Sequence, residues 1–501
     1  MDLVSGTAFG QGNDTLFNIE NVLGSSFNDT IKGNGFNNRL EGADGNDTFI
    51  ASLGSDIIRG DAGVDLISFA QLGLAAVVNL STSSYTAGTA TGTLNSVENV
   101  TGSDLNDTIT GNNANNVIDG GKGSDILNGG AGIDTLKITA NTSAPYNQGA
   151  FVNLTAGTSI SYGQTDTISN FENVIGSDQS DFITGSAGNN VINGGGATDT
   201  IYATMGVDHY DGDTGANDAV YFTNQAAVTA NLATGTYMFD ANNHGTMANI
   251  DHLIGGSNSD TLIGDSANNR LDGDAGADVL QGGAGNDQLF GAAGSDRLIA
   301  DGGNDELTGN YGIFDYGDDA SDTFEVRTTA GNITIHDFQK GVDKLDLTDF
   351  NLGSSTYWTA SGAQTSLTEV TLTLTGQGQE VVNILMRGIS DGYNLCLNDM
   401  IGGTAAIIPP PPPPVVGGNG LADIFVILPQ VTGCITISGF EDGLDRLDLT
   451  FLNQPNWDAA QGAASDGSVL LDFWNYASGD RFQVNLEGVG FGLIDQNDVI
   501  I

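Results

Sequence analysis

One residue recurs every nine positions in this chain of 501 residues. The first run is Asp29, Asn38, Asp47, Asp56 and Asp65. The second is Asp107, Asn116, Asp125 and Asp134, and the third is Asp181, Asn190, Asp199 and Asp208. The fourth is Asp260, Asn269, Asp278, Asp287, Asp296 and Asp305. Of these 19 positions, 15 are Asp and four are Asn. The best copies read GGKGSDIL (residues 120–127), GGAGIDTL (129–136) and GGAGNDQL (282–289), so the pattern is G-G-x-G-x-D-x-U-x with U a large apolar residue. A fixed short period of this kind means a repeat architecture.

The six residues G-G-x-G-x-D read as a turn, because Gly admits positive φ and close backbone approach. The next three, x-U-x, read as a very short strand with U pointing inward. Ile31, Leu40, Phe49, Ile58 and Ile67 are the inward residues of the first run. Two nonapeptides make a coil of 18 residues, so turns 18 apart stack on one edge. Counting such pairs gives 11 candidate ion sites. They are Asp29–Asp47, Asn38–Asp56, Asp47–Asp65, Asp107–Asp125, Asn116–Asp134, Asp181–Asp199, Asn190–Asp208, Asp260–Asp278, Asn269–Asp287, Asp278–Asp296 and Asp287–Asp305. Each pair brings carboxylate and carbonyl oxygens to one point. Flexible, oxygen-only ligation suits Ca²⁺, whereas Mg²⁺ demands a tighter octahedron and transition metals prefer nitrogen or sulfur. Asp and Asn also close turns with their own side chains, but that accounts for single turns and not for one phase kept throughout. The Asn positions keep an oxygen and lose a charge, so they are expected to bind more weakly or to cap the stack. The copies ending at Asp56 and Asp208 begin with Ala51 and Ala203 in place of the first Gly.

The nonapeptide resembles that of the repeats-in-toxin (RTX, hemolysin-type) family. The resemblance implies an all-β protein, a parallel β-roll (β-solenoid) that binds calcium at the 19 positions above. Larger units surround the runs. The segments LFNIENVLGS (16–25), LNSVENVTGS (94–103), ISNFENVIGS (168–177) and MANIDHLIGGS (247–257) each precede one. Their acids Glu20, Glu98, Glu172 and Asp251 are spaced by 78, 74 and 79 residues. Strand-like pieces VVNL (77–80), FVNL (151–154) and TANL (229–232) lie upstream of the last three. The expected organisation is four units, 1–75, 76–144, 145–225 and 226–317, each a roll with an antiparallel β excursion. Residues 2–10 (DLVSGTAFG) align with 231–239 (NLATGTYMF), so the chain is expected to start within a unit, as a fragment or from a late start codon.

Two β modules follow, 318–404 and 419–501, joined by a Pro-rich linker, 405–418. They share SDTF with ADIF and ITIHDFQKGVDKLDL with ITISGFEDGLDRLDL, and their alternation argues for antiparallel strands. They resemble the C-terminal domain of serralysin-like secreted proteases. That resemblance implies a capping role and, at Asp498-Val499-Ile500-Ile501, a signal read by type I secretion machinery. The expected localisation is therefore secreted and extracellular, or surface-associated, in a Gram-negative bacterium.

Charge narrows the partners. With 62 acidic and 13 basic side chains the net charge is −49, so nucleic acid is excluded as a partner. The N-terminus has no basic segment followed by an apolar run, and no stretch approaches the ~20 apolar residues of a transmembrane span. Two cysteines, Cys396 and Cys434, exclude a disulfide scaffold. The four histidines, His209, His244, His252 and His336, form no H-E-x-x-H. The single G-x-S-x-G, residues 388–392, has no strand–elbow–helix context. No enzyme activity is expected. The expected function is that of a secreted calcium-binding repeat protein whose rolls fold on extracellular Ca²⁺, in a structural or adhesive role with a cell-surface or polysaccharide partner. The alternative is the export-and-folding portion of a larger secreted protease, lipase, alginate-modifying enzyme or toxin.

Overall fold

The computed structural model describes residues 1–10, 12–139, 149–222, 226–310, 320–339 and 342–350, and beyond these only the strands named below. It falls into two compact units, Met1–Ile254 and Gly255–Ile501. Both are all-β. Among the described residues the only helical element is a 3-10 turn, Thr348–Phe350, and no helix is long and apolar enough to cross a membrane.

The nonapeptide sets the strands as its pattern requires. Thr30–Lys32 pairs in parallel with Thr48–Ile50, and Thr48–Ile50 with Leu66–Ser68, each residue facing the one 18 positions on. The intervening nonapeptides form the opposite sheet, in which Asn21–Leu23, Arg39–Asp44 and Ser55–Ala62 pair likewise. The middle residue of each short strand is buried between the two sheets. In the second unit Leu262, Leu280 and Leu298 from one sheet meet Leu271, Leu289 and Leu307 from the other, all 0% exposed. The roll is thus two parallel sheets, each only three residues wide, closed over a single file of apolar side chains.

The excursions are three-stranded meanders set into the sheets. In the first, Ala76–Asn79, Ser84–Ala87 and Ala90–Asn95 are antiparallel neighbours. The meander's last strand pairs in parallel with Ser55–Ala62, and its first with Thr108–Thr110, so the sheet continues through it. The second, Phe151–Asn153, Thr158–Ser161 and Gln164–Ser169, lies between Ile126–Asn128 and Phe182–Thr184 in the same way. In the third, Thr229–Asn231, Thr236–Met238 and His244–Ala248 continue the other sheet from Val207–Asp211. At the N-terminus, Thr7–Phe9 pairs with Asn13–Thr15. There the Leu16 N–H donates to the Gly6 carbonyl at 2.8 Å, as Met247 does to Gly235 at 2.8 Å, matching the alignment of the two segments.

The sheets run on into the first C-terminal module. Thr323–Val326, Lys344–Asp346 and Met400–Ile401 extend one side in parallel. On the other side Asn332–Ile335 pairs in parallel with Val381–Arg387, which is followed by antiparallel Glu369–Gly376 and Trp358–Ser366. The second module repeats this plan. Ile424–Val426, Arg446–Asp448 and Val499–Ile500 are parallel, and Gly433–Ile437 pairs in parallel with Arg481–Leu486, followed by antiparallel Val469–Asn475 and Trp457–Ala463. The expectation of antiparallel modules is corrected on this point. The strand at the start of each ITI segment returns to a parallel partner and each module adds one hairpin to that pair; the first module's strands join the sheets of the roll, whereas the second module's form two sheets of their own. Cys396, prolines 409–414, residues 388–392, Asp498 and Ile501 lie outside the described residues, as does the side chain of Cys434.

The single-file core sets a contrast between neighbours. Leu127 is 1% exposed and the adjacent Ile126 is 56% exposed. Leu127→Ala should cost about 2–5 kcal/mol of stability, whereas Ile126→Ala should stay within about 0.5 kcal/mol. Urea denaturation at saturating Ca²⁺ measures both; equal losses would contradict the two-sheet packing.

Candidate metal centres

The 19 positions are brought together as stacks on the edges of the roll, and the stacking is made by hydrogen bonds. The backbone N–H of Asp29 donates to Asp47 Oδ1 at 2.8 Å, and that of Asp47 to Asp65 Oδ1 at 2.8 Å. The same bond, 2.6–3.0 Å long, links Asn38 to Asp56, Asp107 to Asp125, Asn116 to Asp134, Asp181 to Asp199 and Asn190 to Asp208. It also links Asp260 to Asp278, Asn269 to Asp287, Asp278 to Asp296 and Asp287 to Asp305. All 11 pairs counted from the sequence are therefore joined in this way.

What the second side-chain atom meets divides the 19 into three groups. At the first two positions of every run the side chain accepts an N–H from its own turn, four residues back. Ser25, Ser103, Ser177 and Gly256 donate to Asp29, Asp107, Asp181 and Asp260 at 2.5–2.7 Å. Asn34, Asn112, Ser186 and Asp265 donate to Asn38, Asn116, Asn190 and Asn269 at 2.8 Å. These eight side chains close the start of each stack, which is the capping arrangement expected of the Asn positions, here extended to the Asp before each. At Asp56 and Asp208 the second oxygen accepts from tyrosine, Tyr85 Oη at 3.2 Å in one case and Tyr210 and Tyr237 Oη at 2.8 and 3.2 Å in the other.

The remaining nine lie deeper in the stacks. In Asp47, Asp65, Asp125, Asp134, Asp199, Asp278, Asp287 and Asp305 the Oδ2 atom is buried and accepts no hydrogen bond among the described residues. Asp296 holds the same place in the ladder. A buried carboxylate oxygen with no donor is costly. Its surroundings supply further oxygens. A Cβ on Gly273 would stand 2.8 Å from the Gly291 carbonyl oxygen and closer still to Asp278 Oδ2. A Cβ on Gly42 would meet Asp47 Oδ2 and stand 2.9 Å from the Gly60 carbonyl oxygen. The first glycine of the nonapeptide thus keeps open the space where a carboxylate and a carbonyl of the next coil converge. No group of three or more His, Cys, Asp or Glu side chains converges among the described residues. The donor set is carboxylate plus backbone carbonyl, which fits Ca²⁺ and not zinc.

Electrostatics agree with a missing cation. Burial pushes the carboxyls of Asp125, Asp199, Asp278 and Asp287 up to about 7, and neighbouring carboxylates such as Asp166, Asp107, Asp181 and Asp296 add to the rise. Asp65 and Asp305 are pushed to about 6, again chiefly by burial.

The ladders also run further than the nonapeptide phase shows. Asp65 and Asp134 donate their N–H groups to Glu98 and Glu172 at 2.9 and 2.8 Å, Asp125 to Asp166 at 3.0 Å, and Asp199 to Asp218 at 2.6 Å. Past Asp305, Asp296 donates to Asp322 at 2.9 Å and Asp322 to Asp343 at 3.0 Å. Burial, reinforced by the Asp343 carboxylate, pushes Asp322 to about 8. The recurring ENV segments signal Glu98 and Glu172 in the sequence, whereas Asp166, Asp218, Asp322 and Asp343 sit at coil lengths altered by insertions. A second ladder went unread in the sequence. Asn286 and Asn304 donate their N–H groups to Asn268 and Asn286 Oδ1 at 2.8 and 2.9 Å, and Asn332 to Asn304 at 2.8 Å. Its signal is the Asn that precedes the ladder residue, as in Asn286-Asp287 and Asn304-Asp305.

Parallel two-sheet coils edged by stacked carboxylates define a calcium-binding β-roll. The family model for the RTX calcium-binding nonapeptide repeat matches residues 23–58, 41–69, 101–136, 175–210, 247–280, 254–289, 272–307 and 290–312. These segments of the chain are RTX calcium-binding nonapeptide repeats. Among solved structures it is similar to the solution structure of a subunit of the Azotobacter vinelandii mannuronan C5-epimerase, at 22% identity over 33% of this chain and 91% of that one, with a TM-score of 0.17. No curated protein matches.

The raised carboxyls give a signed pH dependence. In the ion-free fold Asp125, Asp199, Asp278 and Asp287 titrate near 7, against 3.8 when unfolded. The fold then binds more protons than the unfolded chain, so its stability is fullest below about pH 4 and is lost as pH rises through about 7. The β signal of metal-free protein in circular dichroism should therefore decline as pH is raised from about 4 to 7, and a signal that grows over that range would contradict buried, unpaired carboxylates.

Proposed function

We propose that the chain is a secreted scaffold whose rolls fold when extracellular Ca²⁺ fills the ladder edges, and that it is not itself an enzyme. The observation that carries this reading is the set of buried Oδ2 atoms left without donors at the deep ladder positions. The ligand residues lie in the paired ladders, chiefly at the positions with a donorless Oδ2, Asp47, Asp65, Asp125, Asp134, Asp199, Asp278, Asp287 and Asp305, assisted by turn carbonyls. Calcium, when bound, supplies the positive charge that lets facing carboxylates stay ionised in a buried edge.

The net charge of −49 supports a folding switch. Without the ion the crowded carboxylates repel and must take up protons to be buried. Sites made of few carboxylates and backbone carbonyls belong with extracellular modules, which bind at about 10⁻⁴ to 10⁻³ M. In cytosol such sites stay empty and the chain stays unfolded and exportable; outside, binding free energy becomes folding free energy. The C-terminal Asp498-Val499-Ile500-Ile501 is proposed as the element read by type I secretion machinery, and the repetitive exterior of the rolls as the face offered to a cell surface or polysaccharide.

Circular dichroism of the full chain in chelator should be coil-like. Added Ca²⁺ should produce a cooperative change to β signal at submillimolar to millimolar concentration, and equal Mg²⁺ should not. A chain already folded in chelator at neutral pH would overturn the reading.

A further inference from the structure

Two of the 11 paired edges differ from the rest, and they differ in the same way. Asp56 and Asp208 are the nonapeptide residues whose next partner on their own sheet lies in the first and third excursions. At both, a tyrosine of the middle meander strand donates to Oδ2: Tyr85 to Asp56 and Tyr237 to Asp208, each at 3.2 Å. Both tyrosines are buried, at 1% and 2% exposure. Ser52 and Tyr210 add hydroxyls to the same two oxygens, at 3.0 and 2.8 Å.

The residue one coil further along is also special. Asp56 faces Gly92, and Asp208 faces Gly245, in the parallel pairing that follows. These glycines are the register partners of Tyr85 and Tyr237 across the meander. A Cβ on Gly245 would stand 2.8 Å from the Tyr237 ring. The ring therefore occupies the place where the next ladder side chain would project.

The second excursion is the internal control. There the register partners are Ser159 and Asp166. Asp166 continues the ladder by accepting the Asp125 N–H, and Asp125 Oδ2 has no donor. A Tyr–Gly pair thus goes with a satisfied Oδ2, and a Ser–Asp pair with a donorless one. The alanine that replaces the first glycine, Ala51 or Ala203, is not sufficient by itself, because Ala300 stands at that place before Asp305, whose Oδ2 still lacks a donor.

We infer that Tyr85 and Tyr237 stand in for a cation at Asp56 and Asp208, making these two edges of the roll calcium-independent anchors for the excursions. The inference rests on calcium binding at the other paired edges. A phenol donor removes the orphaned oxygen without bringing charge, and burial beside an acceptor carboxylate holds both phenols well above their ordinary ionisation range. The junction between roll and excursion then forms on hydrogen bonds alone, while the coils on either side wait for the ion.

Native mass spectrometry of the full chain in saturating Ca²⁺ counts the ions. The double variant Asp56→Asn/Asp208→Asn should bind as many as the parent, since Asn keeps the acceptor for the ladder N–H and the phenol can accept from the amide. Asp65→Asn/Asp199→Asn should bind at least two fewer. Equal losses in the two variants would overturn the inference. A parent that binds no calcium would instead overturn the calcium reading, so the two failures are distinct. Where a ladder variant fails to fold, Tyr85→Ser/Gly92→Asp transplants the second excursion's pair; it should bind one ion more than the parent, and an unchanged count would contradict the substitution of phenol for cation.

Discussion

At all 11 nonapeptide pairs the same bond ties one coil to the next, from a backbone N–H to the carboxylate one coil further on. The bond spans the two neighbouring turns of an edge, so it sets both the 18-residue register and the orientation of the side chain. Its cost follows from its success. Once Oδ1 is used and the turn is buried, Oδ2 is held against glycine and carbonyl with nothing to donate to it. A neutral side chain would satisfy the ladder bond equally well. Persistent Asp in the deep positions makes sense only where a positive charge completes the edge.

The excursions show how the same constraint is met without an ion. In each stack the first two positions borrow N–H groups from their own turns, and two of the last positions borrow hydroxyls. The oxygens left in deficit are those of Asp47, Asp65, Asp125, Asp134, Asp199, Asp278, Asp287 and Asp305. On the proposed reading, calcium dependence follows from which positions lack a donor. The fourth run, with six ladder positions, carries the most positions beyond the first two, while the third run is capped at both ends, its last residue Asp208 taking tyrosine hydroxyls.

The fold was legible because its period is short and its chemistry repeats. The inward residues, from Ile31 and Leu40 to Leu289 and Leu307, are buried as the U position requires. The four excursion-associated segments were legible as homologous pieces, but their role was not. Glu98 and Glu172 come back into the ladder 33 and 38 residues after Asp65 and Asp134, not 18, because a meander intervenes. Periodicity finds equal spacings, and an insertion that preserves space while changing spacing is invisible to it. The antiparallel reading of the C-terminal modules held for their hairpins and missed the parallel partner of each ITI strand. Alternation reports which face of a strand is buried and carries no information on the direction of its partner.

The same distinction governs how the ion sites should be counted. Spacing alone treats all 11 pairs as equal, because each has two oxygen-bearing side chains 18 residues apart. Hydrogen bonding separates them, since a metal site needs an oxygen that no donor has taken. Asp322 extends this argument past the nonapeptides. It lies 26 residues after Asp296, outside the repeat phase, yet it accepts the same ladder bond and leaves a buried Oδ2 without a donor. By the criterion that removes Asp56 and Asp208 from the set, Asp322 enters it. The ladder edge accordingly reaches into the first C-terminal module, which on the proposed reading takes part in the switch and is not merely a cap placed after it.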